Sequence, residues 1–191
     1  MNITGKKSVA TLVKWAFFVC FLFFAFHLFY FFIGYGIASY KLSSNSEIFG
    51  NSITLGVNAF GLNSLNSFQI NYPFTDQNFM FGEFSWETFL MNGLGFGALT
   101  FYFYTLYRIF DNLSKVPIFS NSILIWLKVF VWTNFSVATV YFIFWNFIYE
   151  TKTLKVIFTA FPFVLIGMIC LFAYDFFKKG YQLQSENDLT I

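Results

Sequence analysis

Four long stretches without a charged residue divide the chain, at 15–40, 88–107, 129–149 and 156–174. A helix rises 1.5 Å per residue, so about 20 residues cross the roughly 30 Å hydrocarbon core of a bilayer. Each stretch has about that length. Apolar and polar residues do not alternate in them, as they would in the strands of a membrane barrel. The pattern therefore predicts four transmembrane helices.

The predicted fold class is an all-α membrane protein, a four-transmembrane-helix bundle that forms a single domain over 1–191. We assign the helices to 15–40, 88–107, 123–149 and 154–177, the outer loop to 41–87, the inner loop to 108–122 and the tail to 178–191. The link 150–155 is long enough only for a tight turn. Helices three and four are therefore expected to be antiparallel neighbours.

Lysine and arginine in the connections predict the orientation of the helices. Eight cations fall on the side of both termini and three on the other side, which predicts that both termini are cytoplasmic. The alternative for the first stretch is a cleaved signal peptide. Its 26 residues exceed the usual apolar region of such a peptide, about 7 to 15 residues.

The outer loop contains two segments in which apolar and polar residues alternate, at 53–59 and 68–74. Period-two patterning around an Asn/Ser/Gly-rich connection predicts a small extracytoplasmic β-hairpin. An isolated hairpin is only marginally stable, so its apolar face should rest on helix ends or on a second subunit. The loop is either a cap over the bundle or a site for a ligand or partner.

The composition of the chain excludes several classes of protein and of function. Hydrophobic residues make up 58% of the 191 and charged residues 10%, which excludes an ordinary soluble domain and a disordered chain. The net charge of +2 is too scattered for direct nucleic-acid binding. The two cysteines stand apart, and no catalytic, metal-binding or cofactor-binding motif is recognisable. We therefore expect neither an enzyme nor a cofactor.

His27 and Asn134 are the candidate intramembrane polar pair. His27 lies 13 residues from both Lys14 and Lys41, which predicts a position near the bilayer midplane. Asn134 is near the middle of the third helix, so the two side chains would form a hydrogen bond if those helices touch. A structural contact and a proton-sensing or transport role are the two alternatives.

Gly93 and Gly97 are four residues apart in the second helix and share one face. This spacing is typical of close helix packing in membranes, either within one subunit or in a homo-oligomer.

The tail begins with Lys178, Lys179 and Gly180, which predict the end of the fourth helix. The polar segment that follows is either a frayed terminus or a docking segment for a cytoplasmic partner. The candidate docking residues are Leu183, Glu186, Asp188, Leu189 and Ile191.

At the C-terminal end of the inner loop, Ser120 or Ser122 is the predicted N-cap of the third helix.

The chain resembles the bacterial membrane family catalogued as domain of unknown function 2975. The resemblance rests on the four-span layout, on Pro117-Ile118-Phe119-Ser120 followed by Leu127, and on the closing residues 180–191. It implies a protein often encoded beside a small helix-turn-helix regulator, which would dock on 108–122 and the tail. We therefore expect a noncatalytic regulatory or sensor protein. The alternative is a small permease or immunity-type transporter that works through His27 and Asn134.

Overall fold

The computed structural model describes residues 5, 8–44, 52–56, 66–115, 117–148 and 154–188. The helices are α1 (Val9–Ser44), α2 (Trp86–Leu113), α3 (Asn121–Ile143) and α4 (Leu154–Asp188), and the strands are β1 (Ile53–Leu55), β2 (Ser67–Asn71) and β3 (Asn78–Glu83). A π-helical turn, Phe144–Ile148, extends α3. The chain forms two compact units: Phe24–Gly97, here called the sheet unit, and Met1–Phe23 with Ala98–Ile191, here called the α3–α4 unit. The prediction of a single domain over 1–191 stays a prediction.

Three of the described helices are long and apolar enough to cross a membrane: Val9–Ser44, Asn121–Asn146 and Val156–Asn187. The fourth helix, α2, has 28 residues and therefore sufficient length, but its Tyr, Thr, Gly and Asn residues make it less apolar. Large apolar side chains on α1 and α4 are widely exposed, for example Leu12, Phe158 and Phe172 at 72–73%. Such exposure is typical of helices that face lipid. The chain is a helical membrane protein.

The sheet unit contains the predicted antiparallel pair of strands and adds a third strand. Its strands form a three-stranded antiparallel sheet in the order β1-β2-β3, with Ile53 opposite Ile70 and Phe68 opposite Gly82. The predicted first and second strands are shorter than their alternating patterns, and 57–60 lies outside the described residues. The third strand was not predicted, because Phe79, Met80 and Phe81 are consecutive apolar residues with no period-two pattern.

The apolar face of the sheet packs on the second half of α1. The buried cluster consists of Phe31, Tyr35 and Ala38 from α1 and Ile53, Phe68 and Ile70 from the sheet. Gly34 allows the close approach, since a Cβ at this position would be 3.1 Å from two carbons of Ile70. The sheet thus rests on a helix of its own chain, along the second half of α1 and not only at the helix end that was predicted.

The α3–α4 unit has its own core. Ile109, Ile123, Leu127 and Phe130 are buried, and side chains of α4 pack around them. The N-terminal end of α3 lies beside the C-terminal part of α4, and Ala138 lies near Ala160. The prediction of antiparallel neighbours is therefore confirmed. Ser120 is the N-cap of α3 in extended conformation, but its hydroxyl forms no capping hydrogen bond, so only the position was predicted correctly.

The predicted end of the fourth helix at Gly180 is wrong. α4 continues without interruption to Asp188. The glycine has a packing role instead: a Cβ at position 180 would lie 2.5–2.8 Å from three ring carbons of Phe119. Tertiary contact overrides the local pattern of two lysines and a glycine that is typical of a helix end.

Candidate functional site

His27 lies among aromatic rings in the sheet unit. Its Nε2 and the hydroxyl of Tyr72 are joined by a hydrogen bond of 2.9 Å. The rings of Tyr72, Phe79 and Phe96 surround the imidazole at centroid distances of 5.7–6.3 Å. His27 is 7% exposed, so the Tyr72 hydroxyl satisfies a polar atom that is otherwise shielded from water.

The hydrogen-bond partner of His27 comes from the sheet unit. Tyr72 begins the turn between β2 and β3, in which Asp76 and Gln77 are exposed. Hydrocarbon accepts non-helical backbone only where protein shields it or where it lines water. The turn places the Tyr72 hydroxyl beside His27, which the spacing from Lys14 and Lys41 did not predict.

Asn134 is fully buried in the α3–α4 unit. Its Nδ2 donates to the carbonyl oxygen of Phe130 at 2.8 Å, within the same helix. Its Oδ1 has no hydrogen-bond partner among the described residues. His27 and Asn134 thus each have a partner within their own unit, and the predicted hydrogen bond between them stays a prediction.

The two glycines of the predicted packing motif have different surroundings. A Cβ at Gly93 would be 3.5 Å from Phe31 and 3.8 Å from Phe32, both on α1. A Cβ at Gly97 would meet no atom within 4 Å. Gly93 therefore faces α1 with room for a methyl group, whereas Gly97 leaves a small open surface on α2, and the packing role of the pair stays a prediction.

The two sequence segments that carry the family resemblance meet in the α3–α4 unit. Phe119 of the inner loop lies on Gly180, and its ring centroid is 5.5 Å from that of Phe177 and 6.4 Å from that of Phe176. This contact, here called the Phe119–Gly180 clasp, joins the inner loop to the C-terminal part of α4.

The described candidate docking residues, Leu183, Glu186 and Asp188, are helical rather than frayed. Leu183 is 63% exposed and Glu186 is also exposed, one turn further along α4. Asp188 is the last residue of the helix, while Leu189 and Ile191 lie outside the described residues. The described part of the segment therefore offers a preformed helical face.

An ion-pair cluster that the sequence analysis missed joins α1 to α2. Asp111 accepts from Lys14 at 3.3 Å and from Lys115 at 2.6 Å. Burial raises the pKa of the Asp111 carboxyl, but the hydrogen bonds and charges of Lys115 and Lys14 outweigh this effect and lower the pKa below its usual value. Next to the cluster, the guanidinium of Arg108 lies 4.8 Å from the ring centre of Trp126, a cation–π contact.

Potential metal ligands are dispersed. Within the part of the chain that the structure describes, no three His, Cys, Asp or Glu residues are close enough to hold a metal ion.

Comparison with protein families decides the affiliation of the chain. The family model described as Protein of unknown function (DUF2975) matches residues 72–191. The chain belongs to this family. The match includes α2, α3, α4 and both partners of the Phe119–Gly180 clasp, so the DUF2975 resemblance is confirmed. Neither a curated protein nor a solved structure matches this DUF2975 chain.

Proposed function

We propose that this DUF2975 protein crosses a bacterial cytoplasmic membrane four times, with both termini in the cytoplasm. Three apolar helices and the length of α2 support this topology. The charge-free run 88–107 within α2 adds support, as does the excess of cations on the side of the termini. Reporter fusions at positions 1 and 191 should both be active in the cytoplasm, with a fusion in the 61–65 segment active outside. A C-terminal fusion active outside would contradict the topology.

Within this topology, the protein acts as a noncatalytic regulatory or sensor protein with a cytoplasmic partner. The observation that carries the proposal is the helical continuation of α4 to Asp188, with Leu183 63% exposed. An exposed apolar side chain on a preformed helix loses little conformational entropy on binding, which favours recognition by a groove on a partner. The sheet unit supplies the outer element that would receive a signal.

The partner is a small DNA-binding regulator, as the family resemblance implied. Docking would use Leu183 and Glu186 together with the inner loop around Phe119. The Phe119–Gly180 clasp supports this arrangement, because it joins the inner loop and the helical docking face into one surface.

The experiment is site-specific photocrosslinking in native membranes. A photoreactive residue at position 183 should capture one soluble partner, whereas the same residue at position 158, also an exposed apolar site on α4, should capture none. Replacing Leu183 with Asp should release the partner without loss of membrane insertion. Crosslinking that is equal at 183 and 158, or release that fails in Leu183→Asp, would reject the docking proposal.

Transport is the second candidate function, and Asn134 is the observation that favours it. A fully buried amide oxygen without a hydrogen-bond partner among the described residues is costly and can serve as a ligand for a polar solute. If transport occurs, Asn134→Leu should abolish uptake, and His27→Ala should reduce it. Unchanged uptake in both variants would remove this candidate.

A further inference from the structure

A groove of about 430 Å³ lies between the first turns of α3 and the C-terminal part of α4. Its polar lining consists of Asn121, Lys128, Tyr174, Lys178, Tyr181 and Gln182. No carboxylate is among the described residues that line it. The groove therefore combines two cations with hydroxyl and amide donors and has a positive potential.

The position of the groove coincides with the ends of two apolar runs. Lys128 immediately precedes the charge-free run of α3, and Tyr174 is the last residue of the charge-free run of α4. Both residues line the same groove. In a bilayer, the transition from apolar to charged residues lies at the headgroup level, where tyrosine is also enriched.

The two lysines have no acidic partner among the described residues. The ion pairs of that part of the chain both use Asp111, which does not line the groove. Asp175 and Glu186, the described acids of α4 closest in sequence to Lys178, do not line it either. Two cations held near each other without a counterion favour an anionic ligand.

A second groove also has Lys128 in its lining. It has a volume of about 480 Å³ and is predominantly apolar, with Ala98, Phe101, Val129, Trp132 and Val137 in its lining. Lys128 lines both grooves. Lys128 therefore lies where the polar groove at the headgroup level meets the apolar groove beside the charge-free run of α3.

We propose that the two grooves form a binding site for one anionic phospholipid. Lys128 and Lys178 hold the phosphate, Asn121 and Gln182 donate hydrogen bonds to the phosphate or to headgroup oxygens, and one acyl chain follows the apolar groove past Trp132. Basic pockets between membrane helices are suited to such headgroups. This proposal rests on the proposed membrane topology, in which α3 and α4 span the bilayer. It does not depend on the proposed regulatory role.

The test uses the full chain in nanodiscs of phosphatidylcholine, with and without phosphatidylglycerol, followed by release and native mass spectrometry of bound lipid. The wild-type protein should retain phosphatidylglycerol in preference to phosphatidylcholine. The variant Lys128→Gln/Lys178→Gln should bind it roughly 30-fold more weakly, because each cation near an anionic headgroup contributes about fivefold.

Two controls separate this site from general attraction. Lys115→Gln/Lys179→Gln removes the same charge outside the groove and should change binding by less than about twofold, since neither side chain lines the groove and exposed charges are screened. Ser136→Trp, in the lining of the apolar groove, should weaken lipid binding while both lysines remain.

Four outcomes would overturn the proposal. They are equal retention of the two lipids, equal loss in the two double-lysine variants, unchanged binding in Ser136→Trp, and displacement of the lipid by free glycerol phosphate or by an acidic peptide as effectively as by phosphatidylglycerol. The displacement result would indicate a phosphate or peptide site rather than a lipid site.

Discussion

The ring of Phe119 lies against the backbone of Gly180, so close that a Cβ at position 180 would be 2.5 Å from Cε1 of Phe119. The two residues are 61 positions apart in sequence, with α3 and most of α4 between them. This contact keeps the inner loop on α4 just before the exposed Leu183.

Gly180→Ala should lower the stability of the protein, although alanine normally stabilises a helix interior by about 1 kcal/mol relative to glycine. The added methyl group would force the Phe119 ring to move, and overpacking of this kind costs about 1–3 kcal/mol. Unfolding in detergent, followed by circular dichroism, measures the change.

Gly95→Ala is the matched control, because a Cβ at this helical glycine meets no atom within 4 Å. It should be neutral or stabilising. Phe119→Ala should relieve the effect of Gly180→Ala in the double variant. A stabilising Gly180→Ala, like the control, would contradict the clasp.

Tyr72→Phe should destabilise the sheet unit by about 1 kcal/mol, because it removes the hydroxyl that is bonded to the shielded His27 and leaves the aromatic ring. Hydrogen–deuterium exchange of β2 and β3 would measure the loss. Tyr40→Phe, at an exposed tyrosine on the same α1 helix as His27, is the control. Equal exchange in both variants would show that the hydrogen bond contributes nothing.

Asp111 should make stability depend on acid pH. Its pKa is lower in the folded protein than the ordinary value of 3.8, so the unfolded state binds more protons in the interval between the two values. The stabilisation is fully present above pH 3.8 and is lost as the pH falls through the folded pKa.

Asp111→Asn should remove this dependence and cost about 1 kcal/mol or less at pH 7, because Lys115 is largely exposed. Unfolding midpoints as a function of pH provide the measurement. Asp76→Asn, in the exposed turn between β2 and β3, is the charge-matched control. A steeper acid loss in Asp111→Asn than in the wild type would reverse the assigned sign.

Gly93→Leu and Gly97→Leu should differ. Leucine at position 93 would collide with Phe31 and Phe32, at a cost of about 1–3 kcal/mol, whereas position 97 has open space. Gly97→Leu should leave stability unchanged, and an altered oligomer size on gel filtration would then assign the open surface to contact between subunits. Equal destabilisation by both substitutions would favour a symmetric packing motif instead.

The sequence predicted those elements that leave a pattern in neighbouring residues. Charge-free runs located the helices, and alternation located β1 and β2, because burial on one face leaves a period in the chain. β3 was missed because Phe79 and Met80 are both partly buried although they are adjacent, so the period is lost. The helix end at Gly180 was predicted wrongly because this glycine makes room for the ring of Phe119. That residue is far away in sequence, so no local pattern around Gly180 indicates the contact.

The candidate site was less predictable for the same reason. The residue types were informative, and His27 and Asn134 were singled out because polar groups are rare in apolar runs. The long-range partners could not be predicted, since Tyr72 is 45 positions from His27 and Lys14 is 97 positions from Asp111. Hydrogen bonds over such distances depend on tertiary packing.

The unbroken course of α4 has a mechanical consequence. Beyond its internal proline, Pro162, the helix continues for 26 residues, about 39 Å, to Asp188. Tilting this part by about 10° about one end would carry the other end sideways by roughly 7 Å. A small change of tilt near Pro162 would therefore become a displacement of several ångströms at the C-terminal end of α4.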